Sequence, residues 1–407
     1  MARLRSALAP DRADAVAAWA VTAGLVAAVG RFLLVGEPDW AAFTALLALV
    51  AVVVPVATRD PAVTVPAELL AAAAVPVAVR AAGALPGATP FVAAAALGLL
   101  VAVVLDAFTS LSMTPRFAAV FVVVATMAAA GAWAVGSWVL DAVAGTSFVG
   151  TADELMWDLI VATAVGVGAG VLFDVYCHVS GRIERLRPDA DAADADRAVG
   201  GDAGSGARLV GALQAVLLGI AAIAVARGDA TLLVNSAVPL GITLVPALLR
   251  RQYGYAMDAR LVAWIAGAST LHAVGALALY GAFGWYDSLA HTFSAGLVAG
   301  AGYALARSVE RHSDAVAFTR EFRATFVVLF VLAVGVAWEV LEFASGGLAA
   351  VTGGEAVLAQ YGTTDIVNDL AFNTVGAVLV AAFASAHFEG LAARLAGRVG
   401  ALVGGGD

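Results

Sequence analysis

Three short stretches in the last third of the chain carry side chains that could do acid–base or metal chemistry. Trp285-Tyr-Asp-Ser-Leu-Ala-His291 sets Asp287 and His291 four residues apart, and Trp338-Glu-Val-Leu-Glu-Phe343 sets Glu339 and Glu342 three apart. The stretch GTTDIVNDLAFNTVG, residues 362–376, sets Asp365, Asp369 and Asn373 at successive intervals of four, with Asn368 alongside. At these spacings each set shares one face of a helix. Carboxylates with one imidazole can hold a divalent cation and suit Mn, Fe, Zn or Ca better than copper. The same groups can serve as general acid or base, or carry protons or cations through a membrane. No phosphate-binding glycine loop, Ser/His/Asp order or HExxH motif accompanies them, and the one cysteine, Cys177, excludes an internal disulfide framework and a cysteine-based zinc site.

The elements that must position these residues are membrane spans. Of 407 residues, 62% are hydrophobic and 13% charged, with a mean hydropathy of +0.93; soluble domains have about 25% charged residues. The apolar residues come in blocks of about 20, the length a helix needs to cross a hydrocarbon core. Twelve spans are expected, at about 15–35, 40–57, 65–84, 91–110, 117–139, 155–178, 208–226, 230–249, 260–281, 287–307, 322–344 and 366–388. The first contains Arg31 and lacks a clear small-x-small cleavage site, so it reads as a span rather than a signal peptide. The segment 181–207 is rich in Asp, Ala and Gly with no apolar face, and reads as a flexible linker. The expected organisation is therefore an all-α polytopic protein. A six-span half covers 1–180 and a second covers 208–390, with the linker between them and a tail at 391–407.

Every one of the 22 basic residues is arginine, and 31 acids bring the formal charge to −9. This lysine-free composition fits a GC-rich, salt-adapted source and offers no basic surface for nucleic acid. The expected partner is the lipid bilayer, with an unidentified substrate. Arginines gather before the first span, in the linker, after the second, fourth, eighth and tenth spans, and in the tail. Since cytoplasmic loops hold the excess of positive residues, both termini are expected in the cytoplasm of a cell-membrane protein. Trp40, Trp133, Trp138, Trp157, Trp285 and Trp338 then map to the outer boundary, where indole rings favour the headgroups.

That topology brings the three polar sets to one depth, at the outer ends of consecutive helices. Each residue also has a structural reading. Asp287 and Asp365 sit in first turns, where carboxylates cap amides, whereas Asp369 lies a turn deeper, beyond capping. Glu339 and Glu342 fall just before Gly346-Gly347, at an expected helix end where the dipole disfavours negative charge. His291 and His272 can each be packing histidines with their hydrogen bonds satisfied. Five carboxylates in one partly apolar place need compensation. A divalent metal, one of Arg31, Arg80 and Arg227, or bound protons could supply it. Residues 150–159 resemble 362–370, and Trp133 aligns with Trp338, which hints at a parallel repeat in which Ala134 and Ser137 stand where Glu339 and Glu342 stand.

WYDSLAH, WEVLEF and TTDIVNDLAFNTVG, in that order between about 208 and 390, resemble the YjdF-like membrane proteins, and D-x-x-x-D-x-x-x-N-x-x-G resembles the broader VanZ-like group. The resemblance implies that Asp287, His291, Glu339, Glu342, Asp365, Asp369 and Asn373 occupy the positions that define the family. It implies no activity, because none is established for YjdF-like proteins. The VanZ-like association with the cell envelope is not carried over, since no arginine stands in Tyr361–Thr364. The functional expectation is an outward-facing divalent-metal site, of unknown metal, that binds or acts on a membrane-associated substrate. Glu339, Glu342, Asp369 and His291 would be ligands or the general acid and base, supported by Asp287, Asp365, Asn368 and Asn373. The alternatives are a proton- or cation-coupled transporter using His272, Asn235 and Ser236 as its path, and an envelope scaffold with a structural ion site.

Overall fold

The computed structural model describes residues 12–84, 89–108, 113–179, 203–253, 257, 259–312, 316, 318–353, 356, 358 and 360–383. Among these residues the fold is all helical. In chain order the helices are α1 (Arg12–Leu34), α2 (Pro38–Thr58), α3 (Ala67–Ala81), α4 (Thr89–Phe108), α5 (Pro115–Ala144) and α6 (Ala152–Val179). They continue with α7 (Ala203–Arg227), α8 (Ala230–Tyr253), α9 (Ala259–Ala282), α10 (Gly284–His312), α11 (Arg320–Thr352) and α12 (Thr363–Phe383). A helix lies over each expected span. Ten are long and apolar enough to cross a membrane, while α3 and the apolar part of α4 are shorter. The expected linker lies outside the described residues up to 202, and Ala203 opens α7; the expected tail also lies outside them.

Local chemistry sets the boundaries. Pro38 opens α2, where its missing N–H costs nothing. Thr114, Asp229 and Thr319 each accept a backbone N–H from the first turn of α5, α8 and α11. Thr151 and Glu154 bond reciprocally at the start of α6, as in a capping box. α2, α3 and α8 contain interior prolines, Pro55, Pro76, Pro239 and Pro246, of the kind that membrane helices tolerate. Leu34, Val143 and Val351 are more than four-fifths exposed, and many other apolar side chains face outward. Such surfaces suit hydrocarbon rather than water.

The chain forms two compact units. The first comprises 1–130, 157–187 and 313–322; the second comprises 131–156, 188–312 and 323–407. In the first, Phe32, Leu47, Leu70 and Leu100 anchor a core built by α1–α4. Arg80 makes a bidentate pair with Glu37, and Arg31 donates to the Ala81 carbonyl. Both arginines thus bond within this unit, and among the described residues no ion pair joins Arg227 to the candidate carboxylates.

In the second unit α10, α11 and α12 run alternately up and down. Close approach is made possible by small residues. A methyl group at Gly376 of α12 would collide with the Thr292 carbonyl of α10 and stand 2.8 Å from Ala295 Cβ. Gly296 faces the Trp264 ring, Gly302 the Phe330 ring, and Gly335 the side chains of Asn373 and Leu370. At one end Glu310 of α10 bridges Arg307 and Arg323, tying α10 to α11. The polar sets lie towards the opposite end of the same helices. Gly131 of α5 packs on Val336 of α11, the residue with which the Trp133/Trp338 alignment pairs it. Replacing Gly376 by alanine is expected to destabilise the protein by about 1–3 kcal/mol, the usual cost of overpacking, read as a lowered melting midpoint in detergent. An unchanged midpoint would mean that the α10–α12 contact is looser than its geometry.

α11 corrects one expectation. Gly346-Gly347 does not end the helix, which runs on to Thr352 and stops at Gly353, whose φ is +71°. An interior glycine costs only about 1 kcal/mol, and Leu348-Ala-Ala-Val351 continues the apolar run. Glu342 therefore lies about three turns from the helix end, too far for the dipole to act on it. What penalises these glutamates is burial.

Candidate metal centre

Each acid is delivered by the regular geometry of its own helix. Asp287 and His291 are one turn apart on α10, Glu339 and Glu342 one turn apart on α11, and Asp369 and Asn373 one turn apart on α12. The close α10–α12 and α11–α12 contacts then bring these faces together. His291 Nε2 lies 3.3 Å from Asp369 Oδ2 and 3.7 Å from Asp287 Oδ1. Asp369 is hydrogen-bonded with Asp287, a carboxyl-to-carboxyl contact that needs a proton or cation between the pair. His291 is also hydrogen-bonded to Asn373. On the other side Glu339 and Glu342 approach Asp369 closely enough for the three to offer ligand atoms within 4.8 Å of one another, as do Asp287, His291 and Asp369.

Burial makes the arrangement costly. Glu339 is 0% and Asp369 3% exposed, while Glu342, Asp287 and His291 are partly buried. Carboxylates in such a place are unfavourable unless hydrogen bonds or counter-charges satisfy them. Some are satisfied. Gln360 Nε2 donates to Glu339 Oε2 at 3.0 Å, and Trp338 Nε1 donates to Glu342 Oε1 at 2.9 Å. Glu339 Oε1 and Asp369 Oδ1, however, are buried without a hydrogen-bond partner among the described residues. Two unpartnered carboxyl oxygens in one buried cluster are what a bound cation would satisfy, and the oxygen-plus-imidazole donor set fits a hard or borderline divalent ion.

Of the expected residues, Asp287, His291, Glu339, Glu342 and Asp369 meet, with Asn373 holding the imidazole. Asp365 does something else: its Oδ2 accepts the Tyr361 N–H at 2.9 Å, capping α12. Asn368 is half-buried, and no hydrogen bond joins it to the cluster among the described residues. Gln360 was not legible as a participant, since a lone amide in the segment before α12 carries no spacing signal.

His272 is a packing histidine with both ring nitrogens hydrogen-bonded, one of the readings its position allowed. Its Nε2 is 3.0 Å from Asn235 Oδ1 and its Nδ1 3.1 Å from Tyr280 Oη. Because Asn235 Nδ2 donates to the Thr231 carbonyl, Oδ1 is the acceptor, so His272 carries its proton on Nε2 and accepts from Tyr280. A π-turn at Gly275–Leu279 makes the Tyr280 contact possible. It lays the Tyr280 ring over Gly275, where any Cβ would collide with it. His272 and Tyr280 lie within electrostatic reach of Asp287.

Fold and cluster together define a polytopic α-helical membrane protein with a buried carboxylate–histidine centre. Residues 208–390 match a family described as "Predicted membrane protein (DUF2238)", and residues 2–64 match a domain of unknown function (DUF8268). The first match spans the second group of six helices and every residue of the cluster, and the second spans α1 and α2. No curated protein and no solved structure matches the chain.

Proposed function

We propose that the cluster is a divalent-metal site, facing the outer side of a cell membrane, that binds or acts on a membrane-associated substrate. Glu339, Glu342, Asp369 and His291 are its ligands or its general acid and base. Asp287 assists, Asn373 orients the imidazole, and Gln360 and Trp338 orient the glutamates. The observation that carries this reading is the pair of buried, unpartnered oxygens on Glu339 and Asp369 beside the His291 imidazole. The outward orientation is supported by the distribution of arginines, which places the starts of α10 and α12 away from the positive loops.

A proton- or cation-coupled transporter would need polar groups continuing along the helices to their other ends. The His272–Asn235 chain instead runs one turn back along α8 to Thr231 at that helix's start, whose hydroxyl reaches the Ala356 carbonyl, and Ser236 is satisfied by carbonyls of its own helix. This favours a localised site over a through-path. The deciding experiment is metal content, by mass spectrometry, of protein purified in detergent without chelator, beside a folded Glu339→Gln/Asp369→Asn variant. Stoichiometric metal in the parent and its loss in the variant are expected. No metal in either would sink the metal reading and leave proton-coupled transport as the leading one.

A further inference from the structure

The ligand-bearing residues fall into two triads that share one member. Asp287, His291 and Asp369 form the first; Glu339, Glu342 and Asp369 form the second. Resting on the metal reading above, we propose that the centre holds a pair of divalent first-row cations bridged by Asp369. One sits between Asp287 and His291, the other between Glu339 and Glu342.

Charge balance is the first argument. Asp287, Asp369, Glu339 and Glu342 contribute four negative charges when ionised as ligands, and the imidazole contributes none. A single divalent cation leaves two charges uncompensated in a buried site to which no arginine is joined among the described residues. Two divalent cations neutralise it. Uncompensated charge in a low-dielectric interior is the more expensive state by far.

Geometry is the second argument. A bridging carboxylate gives one oxygen to each of two ions about 3.5–4 Å apart. The oxygens of Asp369 already have different surroundings: Oδ2 faces His291 at 3.3 Å, and Oδ1 is buried with no partner. Glu339 gives Oε2 to Gln360 and leaves Oε1 buried and unpartnered. The two unpartnered oxygens, Asp369 Oδ1 and Glu339 Oε1, are thus free to serve the second triad, while Asp369 Oδ2 stands with the imidazole in the first.

The supporting contacts are the third argument, because they divide the same way. Gln360 and Trp338 hold the glutamates, and Asn373 holds His291. Asp369 is the member common to both triads. Supporting hydrogen bonds of this kind orient ligands and tune affinity, and here each triad has its own.

The test loads the full-length, metal-stripped protein with Mn(II) in detergent and reads bound manganese per chain together with the electron paramagnetic resonance spectrum. Two ions per chain, with the six-line signal of isolated Mn(II) lost to exchange coupling, are expected. The Glu342→Gln variant, which keeps Asp369 and the first triad, is expected to retain one ion and to regain the six-line signal. One ion per chain in the parent with an uncoupled signal would overturn the paired centre while leaving the metal site standing. No ion in the parent would overturn both. Two coupled ions surviving in Glu342→Gln would overturn the assignment of the second position.

Discussion

Asp369→Asn is expected to abolish the thermal stabilisation that a divalent cation gives the parent protein. A ligand that binds only the folded state stabilises it by about 2.7 kcal/mol at a hundred times its dissociation constant and about 4.1 kcal/mol at a thousand times. Asp369 belongs to both ligand sets, and its carboxylate is buried and has an unpartnered oxygen. An amide at this position removes an anionic ligand without changing the volume, so the metal-dependent gain should vanish, with affinity falling about a hundredfold or more. The metal-free proteins should rank the other way. Stripped of cations, the parent buries carboxylates that repel one another, and the asparagine variant relieves one of them. Its metal-free melting midpoint should equal or exceed that of the parent. Melting curves with and without Mn(II), recorded at one scan rate, separate the outcomes. A variant that melts lower without metal, and a parent that gains nothing from metal, would mark Asp369 as a structural acid held by hydrogen bonds. That is the envelope-scaffold alternative.

The second large effect is on pH. Cation affinity should fall steeply as pH falls, because every ligand must give up its proton before it can coordinate. Asp287 and Asp369 offer oxygens within 4.8 Å of each other, where two ionised carboxylates repel and a proton competes directly with a cation. The sign follows directly. Lower pH favours the protonated, metal-free cluster; higher pH favours the ionised, loaded one. Each proton displaced makes the apparent affinity about tenfold weaker per pH unit, so two displaced protons give about a hundredfold. Isothermal titration of the stripped protein with Mn(II), in two buffers of different ionisation enthalpy, counts the protons released. Affinity that stays flat between about pH 8 and 6, with no proton release, would show that the cation does not compete at these carboxyl groups.

Other features of the second unit fit a rigid frame for such a centre. Glycines at 296, 302, 335 and 376 let α9, α10, α11 and α12 approach closely, and Glu310 ties α10 to α11 at the far end. The ligands thus sit on helices whose spacing is set by close packing at glycines, against the Thr292 carbonyl at Gly376 and against side chains at the other three. A preorganised set of this kind is what a metal site requires to hold its ligands in place.

The sequence by itself determined the helices and the faces they carry. Apolar blocks of about 20 residues can bury their backbone polar groups in lipid only as helices, and a spacing of three or four residues puts two side chains on one helix face whatever surrounds them. Thus the pairing of Asp287 with His291, of Glu339 with Glu342, and of Asp369 with Asn373 was legible from position alone. The capping of α12 by Asp365 was legible too, because it depends only on the first turn. Tertiary structure decided what these faces meet. It committed Arg80 to Glu37 and Arg31 to the Ala81 carbonyl, contacts made across more than forty residues. It brought Gln360 to Glu339 from a segment with no pattern to read. It also joined His272 to Asn235 and Tyr280, because a π-turn shifts Tyr280 off the regular helical register on which sequence spacing relies. Above all it made Asp369 common to both triads. Helical periodicity places residues along one helix, whereas a shared ligand depends on how closely three helices pack, and here glycines in contact set that distance.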